Sequence, residues 1–430
     1  MYAYLNGFLN MERKLDPVAY RLDRMRQLRD LFGRPDSGMR LVHVAGSKGK
    51  GSTATMLAAI LQRHDPPVGL YTSPHLLSFT ERIGIAGAPV RDDVLLPAAT
   101  ELASGIESRV PSDYPGGDSP TYFELLTLLA FLSFRRAGCG RAVIEVGLGG
   151  RLDSTNVIQP EACVITPIEL EHTEILGDTI PKIASEKAGI IKPGIPVYVS
   201  ALRPDALDVI RSTARGLDAP VHVLDDEISI TDLRLSPDGT EFTLSPKDAS
   251  WSGLRLRTPL VGTVQARNAA VAALCARGLG VDDDTIRRGL AEARLSARFE
   301  IMRGTPDVIL DGAHTPDSVA ACASDFKTVF GGRAVLLFGC AKDKNPEAMA
   351  DALSEVASMV VVTKPGTFKE SDLPRISKAF EERGYSVRAM EDTRQAVQAA
   401  MDTAVQEGLP LLVTGSFYLC AEAAMVLKER

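Results

Sequence analysis

At 430 residues the chain is longer than one typical core and points to two or three domains. With 45% apolar and 24% charged residues it has the composition of an ordinary soluble protein, and a net charge of −7 excludes a broad basic surface for nucleic acid. The six cysteines (139, 163, 275, 322, 340 and 420) include no CxxC pair, which argues against a thiolate zinc site and for reduced core cysteines.

The opening MYAYLNGFLNMERK lacks the basic start and apolar stretch of a signal peptide, so a cytoplasmic protein is expected. The segment DPVAYRLDRMRQLRDLF (16–32) predicts a helix capped by Asp16 with Pro17 at its first position. LVHVAG (41–46) predicts a buried strand, followed by a glycine-rich turn and a helix beginning near Lys50. The greasiest stretch, Phe123 to Phe134, contains Glu124 and is too short to span a bilayer, so no membrane anchor is expected. RAVIEVG (141–147) and ACVITPI (162–168) predict two further central strands. Between about 220 and 258 the text turns polar and β-like, with a Pro-Asp-Gly turn at 237–239 joining antiparallel strands. From Arg298 a new β/α series begins, with DVILDGAH, AVLLFGC, MVVVT and LPLLVTGS as its strands. The expected fold is α/β: a P-loop ATPase-like domain with a mainly parallel sheet over 1–296, and a smaller Rossmann-like domain over 297–430.

HVAGSKGKGST (43–53) follows a strand and opens a helix, the setting a phosphate loop requires. Gly46, Gly49 and Gly51 let backbone N–H groups turn toward an anion at the helix N-terminus. Lys50 would reach the terminal phosphates, and Ser52 or Thr53 would bind phosphate or Mg²⁺. The spacing is shorter than GxxxxGK[ST], so this is not an ordinary Walker A loop.

Three later segments offer hard-cation ligands near strand ends. In IEVGLGGRLDSTN (144–156), Glu145 sits inside a hydrophobic strand, where carboxylates are rare without a partner or metal. In ITPIELEHTEILG (165–177), His172 lies just beyond another strand, and YTSPHLLSFTER (71–82) contributes Ser73 and Arg82. An ion pair for Glu145 and a satisfied loop histidine at 172 are the bland alternatives. Oxygen donors with one imidazole suit Mg²⁺ better than zinc. Lys187, in SEKAGIIKPG, gains no role from spacing alone.

Taken together, HVAGSKGKGST, TSPHLLSFTERI, TYFELLT, IEVGLGGRLDSTN, LEHTEILG, SEKAGIIKPG, QARNAAVAA, ARFEI, LDGAHTPDS and VTGSF resemble, almost end to end, the folylpolyglutamate/dihydrofolate synthase family of the Mur ligase superfamily. The resemblance implies ATP-dependent joining of L-glutamate to a folate-type or dihydropteroate carboxylate through an acyl phosphate, by a monomer. It implies that Gly49, Lys50, Gly51 and Ser52 hold ATP phosphates, that Asn268 contacts adenine, and that Arg298 and Asp311 contact ATP from the linker and the second domain. It further implies two Mg²⁺ held by Ser73, Glu145, His172 and a Lys187 carbamylated by CO₂, with His314 by the γ-phosphate or the incoming glutamate. Arg82, Thr121 and the Leu152-Asp153-Ser154 turn are the implied pterin contacts.

The chain departs from the family pattern at Lys48 (usually Asn), Glu171 (usually Asp), Thr315 (usually Asn) and Val264 (commonly His). None of these removes a phosphate-loop lysine or an implied metal ligand, so an active enzyme is expected. A cell-wall ligase and a non-catalytic ATP-binding regulator are the alternatives. TSPH and GLGGRLD speak against the first, and the presence together of Lys50, Glu145, His172 and Lys187 against the second.

Overall fold

The computed structural model describes residues 1–10, 21–366 and 370–429. The Asp16 cap and Pro17 of the first predicted helix lie outside the described residues, and the helix is described over Leu22–Leu31. Backbone contacts divide the chain into two compact units. The first comprises Met1–Thr231, Thr243–Leu256 and Arg267–Ala293; the second comprises Asp232–Phe242, Arg257–Ala266 and Arg294–Arg430.

The first unit is built on an eight-stranded sheet. Its strands are β1 (Arg40–Ala45), β2 (Val68–Tyr71), β3 (Ile83–Ile85), β4 (Ala88–Pro89), β5 (Arg141–Glu145), β6 (Ala162–Ile165), β7 (Val197–Val199) and β8 (Val221–Val223). The order is β4-β3-β2-β5-β1-β6-β7-β8, with β2 to β8 parallel and an antiparallel edge at β3 and β4. β1 and β5 are apolar along almost their whole length because helices cover both faces. Parallel strands all end on one side, so the loops after β2, β5, β1, β6 and β7 gather along a single edge.

The greasy stretch around Phe123–Phe134 is a core helix, Tyr122–Arg136, buried along nearly all of its length. Its one early charge is neutralised inside the fold: Arg24 Nε donates to both Glu124 oxygens, at 3.1 and 2.9 Å, with both side chains almost fully buried. All six cysteines are buried and unpaired. Among the described residues no helix is long and apolar enough to cross a membrane.

The polar stretch near 220–258 forms β9 (Ile228–Ser236) and β10 (Gly239–Pro246) on either side of Pro237-Asp238, with β11 (Leu254–Thr258) completing a three-stranded sheet. The second unit carries β12 (Glu300–Met302), β13 (Val308–Leu310), β14 (Ala334–Phe338), β15 (Ala357–Val362), β16 (Val387–Ala389) and β17 (Leu411–Thr414). They are arranged β12-β13-β17-β14-β15-β16, parallel except for β12 against β13. The hydrophobic runs foresaw β13, β14, β15 and β17. β12 and β16 are short edge strands without a buried run, so their sequence carries little strand signal.

Removing one partner of a buried ion pair strands the other charge, at a cost of about 3–5 kcal/mol. Glu124→Ala should therefore lower unfolding free energy by about that amount in urea titrations. A loss below about 1 kcal/mol would mean that Arg24 is solvated rather than held by Glu124.

Candidate active site

The loop after β1 is held by the loop after β6. Ser47 N and Lys48 N both donate to Pro167 O, at 2.8 and 3.2 Å, while Ser47 Oγ and the Glu169 backbone exchange two bonds of 3.0 Å. These two amides thus serve the loop itself. The N–H groups left to meet an anion are those of the first turn of the helix Lys50–His64, whose N-cap Gly49 brings no side-chain cap. Each of the three glycines also has a packing task. Gly46 (φ 150°) abuts Thr166, and an added Cβ would lie 1.9 Å from Thr166 Oγ1. Gly49 (φ 80°) receives the Asn268 side chain, whose Oδ1 would lie 2.5 Å from a Cβ. Gly51 is helical and leaves room beside Glu145, whose Oε2 would stand 3.4 Å away.

Lys50 and Lys187 converge on one atom. Lys50 Nζ donates to Gly46 O at 3.0 Å, and Lys187 Nζ donates to the same oxygen at 2.8 Å. Lys187 also pairs with Glu171 Oε1 at 3.2 Å and is only 1% exposed. Its burial, together with the nearby Lys50, pulls its ammonium down to about 8. Burial works against ionisation of Glu171, yet Lys50, Lys187 and Lys48 hold its carboxyl below the usual range. Three lysines around one carboxylate leave an excess of positive charge at the helix N-terminus, suited to a polyphosphate.

Glu145 ends β5 opposite Val44 of β1 and is 3% exposed. It accepts the Ser73 N–H on Oε2 at 2.9 Å, so Ser73 and Glu145 share one side of the loop. His172 is exposed, in left-handed backbone (φ 48°), next to Glu171. Among the described residues no group of three or more His, Cys, Asp and Glu side chains is assembled for a metal. The donors present still fit a hard cation that arrives with phosphates, because Mg²⁺ needs only one or two protein oxygens beside them. Glu145 faces the first turn, and Thr53 Oγ1 is buried there without a hydrogen-bond partner.

At the other side of the edge, Arg82 is buried, donates through Nε to His75 Nδ1 at 2.7 Å and lies 5.8 Å from the Tyr122 ring centre. Two implied pterin contacts do structural work. Thr121 caps the core helix, exchanging bonds with Glu124. Asp153 is buried and accepts from Leu148 N, Thr155 N and Thr155 Oγ1, which occupies most of its acceptor capacity. Leu152 and Ser154 on either side are half-buried.

Arg298, Asp311 and His314 belong to the second unit. Arg298 stacks 4.8 Å from the Phe417 ring centre, over Gly312, where a Cβ would strike Phe417 at 2.6 Å. Asp311 accepts from Phe299 N and Ala313 N, both at 2.8 Å, and so ties β12 to the loop after β13. His314 Nδ1 donates to Gly312 O at 2.8 Å, and Thr315 caps the helix Pro316–Phe330 in a capping box with Ser318. The Thr166–Glu169 anchor of the phosphate loop acts through the backbone of Pro167 and Glu169, so no side chain in the sequence signals it.

Comparison with known proteins bears on the family and the fold. The Mur ligase middle domain matches residues 44–276, and the Mur ligase glutamate ligase domain matches residues 297–417. The chain is 35% identical over 418 residues to dihydrofolate synthase/folylpolyglutamate synthase of Bacillus subtilis, covering 95% of each protein. Among solved structures it resembles Mycobacterium tuberculosis folylpolyglutamate synthase complexed with ADP, with TM-score 0.89 and 31% identity over 100% of this chain and 97% of that one. It also resembles a folylpolyglutamate synthase–AMPPCP–folate complex, with TM-score 0.81 and 32% identity over 99% and 98%.

Gly46→Ala should lower stability by about 1–3 kcal/mol, since the new Cβ has nowhere to go. It should also weaken binding of a nucleoside triphosphate. Gly51→Ala meets only ordinary contact and should leave the free protein as stable as the parent or slightly more so. Melting curves of the two variants check this; equal losses would show that close packing on Thr166 is not what Gly46 serves.

Proposed function

The chain belongs to the Mur ligase family, in its folylpolyglutamate/dihydrofolate synthase branch, and from that premise we propose that it ligates L-glutamate to a folate-type carboxylate using ATP. The observation that carries the reading is Lys50, held on Gly46 O at the mouth of an uncapped helix, with the buried Lys187 brought to the same oxygen. Lys50 and the first-turn amides have the charge and the donors for a triphosphate, and Lys187 is placed beside them.

A carboxylate resists attack by an amine, so the γ-phosphoryl of ATP is first transferred to it. The amine of glutamate then attacks the acyl phosphate, and phosphate leaves; the products are ADP, phosphate and the glutamylated folate. Lys50 and the first-turn amides, Gly49 to Ser52, hold the phosphates in line and neutralise charge that grows during transfer. Asn268, seated on Gly49, borders the nucleotide, and Arg298 and Asp311 are assigned to ATP on the family resemblance alone. His314, with its proton held on Nδ1, is assigned to the incoming glutamate or the γ-phosphate. Arg82, Leu152 and Ser154 are assigned to the pterin, with Thr121 and Asp153 shaping the walls around them.

Mg²⁺ held by Ser73, Glu145 and His172 would supply further charge neutralisation to the phosphates. Lys187 is assigned as a carbamate: its buried ammonium beside Lys50 is in a poor setting for a cation and gives up a proton readily, and the neutral amine then adds CO₂ and releases a second proton, becoming an oxygen ligand. A monomer in the cytoplasm acting on small molecules, without nucleic acid, completes the reading. The division of labour is 1–296 for ATP and 297–430 for glutamate.

The test is incubation with ATP and glutamate plus tetrahydrofolate, dihydropteroate or a UDP-muramyl acceptor, reading ADP release and product mass. Glutamate added to the first, or to the first two, is expected; transfer only to the third would overturn the reading. Lys50→Ala should cut turnover by more than ten-fold, a loss above ~1.4 kcal/mol of transition-state stabilisation, with the fold intact.

Lys187→Ala should be nearly inactive, and Lys187→Arg as well, because a guanidinium cannot form a carbamate. The neutral amine that reacts with CO₂ becomes more abundant as pH rises through about 8, so carbamate occupancy at fixed dissolved CO₂ should rise with pH over that range. Native mass spectra under CO₂ would reveal it, and an Arg variant with normal turnover would remove the assignment.

A further inference from the structure

A buried polar chain on the first sheet is left unused by the residues named so far. It begins at His43, on β1, three positions before Gly46 and 0% exposed. Its Nε2 lies 2.8 Å from Thr155 Oγ1, and that hydroxyl donates to Asp153 Oδ1 at 2.5 Å. Burial pushes the Asp153 carboxyl up, while bonds from Thr155 Oγ1, Leu148 N and Thr155 N favour its charged form; with the carboxylate accepting, the Thr155 proton points toward Asp153 and its oxygen accepts from His43 Nε2–H. Burial, aided by the nearby Lys192, keeps the imidazole neutral, pushed down to about 3. Its Nδ1 is buried without a hydrogen-bond partner. A histidine here is costly, since a valine would suit a strand covered on both faces.

The chain of bonds continues beyond Asp153. Asp153 Oδ2 accepts from Leu148 N at 2.8 Å, which closes the loop that follows β5. That loop is fastened to the helix Ile180–Ala188: Arg151 N donates to Glu186 O at 2.8 Å, and Asn156 Nδ2 to Gly189 O at 3.0 Å. Lys192 Nζ returns to Asn156 Oδ1 at 2.7 Å. At Gly150 the packing is so close that a Cβ would stand 2.7 Å from Glu186 O and 3.1 Å from Lys187 Cα. The same helix delivers Lys187 Nζ to Gly46 O, so the circuit closes three residues from where it began.

We propose that His43 is a positioning residue: its Nε2–H seats the 148–156 loop through Thr155 and Asp153, and the seated loop holds Lys187 at the phosphate loop. The turnover part of this inference rests on the ligase reading above. Displacing a group at the reacting centre by about 1 Å can cost 10²-fold in rate, so a slack seat should show in kcat.

The experiment compares His43→Met, which has no donor, with His43→Gln, whose amide can replace the Nε2–H, and with Thr155→Val. Glutamate ligation is assayed at a temperature where circular dichroism shows each variant folded, and hydrogen exchange is followed at Leu148, Arg151 and Thr155. His43→Met and Thr155→Val should each lower kcat by about ten-fold or more, with KM for ATP within about two-fold, because the loop is loosened rather than the nucleotide contacts removed. The three amides should exchange faster in both, and His43→Gln should recover both readouts. The double variant His43→Met/Thr155→Val should be no worse than either single, as for two parts of one chain. Wild-type kcat in a folded His43→Met or Thr155→Val, or a Gln variant no better than Met, would overturn the proposal. Should His43→Met not fold, Thr155→Val and His43→Gln decide by the same outcomes. A wild-type protein that ligates nothing would refute the ligase reading instead; the exchange rates would still decide whether His43 seats the loop, and unchanged protection at Arg151 in Thr155→Val would show that it does not.

Discussion

Lys50 and Lys187 bring two ammonium groups within 3.0 and 2.8 Å of the carbonyl oxygen of Gly46. Like charges held together in a part-desolvated place repel, and each must be repaid by an acceptor or by a change of protonation. Gly46 O and Glu171 do part of this in the free chain, and the remainder makes the spot receptive to anions. The central sheet, with its strand ends aligned on one edge, allows residues from 46 to 187 to meet there.

Much of the surrounding sequence serves that meeting by staying out of the way. Gly46 yields to Thr166, Gly49 to Asn268, Gly51 to Glu145, and Gly150 to the helix that carries Lys187. Around these close approaches the polar groups are pinned by short local bonds: Asp153 within its own turn, Thr121 at the start of the core helix, Ser47 against Glu169. The backbone around the site is held by close packing and by side-chain bonds to neighbouring backbone groups.

The departures from the family pattern acquire physical meaning in the structure. Only Lys48 alters the charge: its ammonium lies in the field of Glu171, which keeps the charge of an aspartate and which the lysines hold ionised. Thr315 caps the helix Pro316–Phe330, work that an asparagine does equally well, so the exchange preserves the turn. Val264 is exposed at the start of its helix, and nothing in the structure explains why valine stands there.

By itself the sequence determined the alternation of strands and helices, the phosphate loop, the restart of the β/α series near residue 298, and the suspicion attached to Glu145. Those signals are local: hydrophobic period, glycine between strand and helix, a charge inside an apolar run. The same reasoning was available for His43 in LVHVAG, a polar residue in a buried strand, but periodicity cannot say what such a residue touches. Only the tertiary structure decided that Lys187 shares a carbonyl with Lys50, that Thr121 and Asp153 are spent as caps, and that the Thr166–Glu169 turn holds the loop. The two caps are local bonds that residue type alone does not distinguish from ligand contacts; the physical reason for the rest is that they join residues more than a hundred positions apart. They are set by which strand lies beside which, and the order β2-β5-β1-β6-β7 is written in no single segment of the chain.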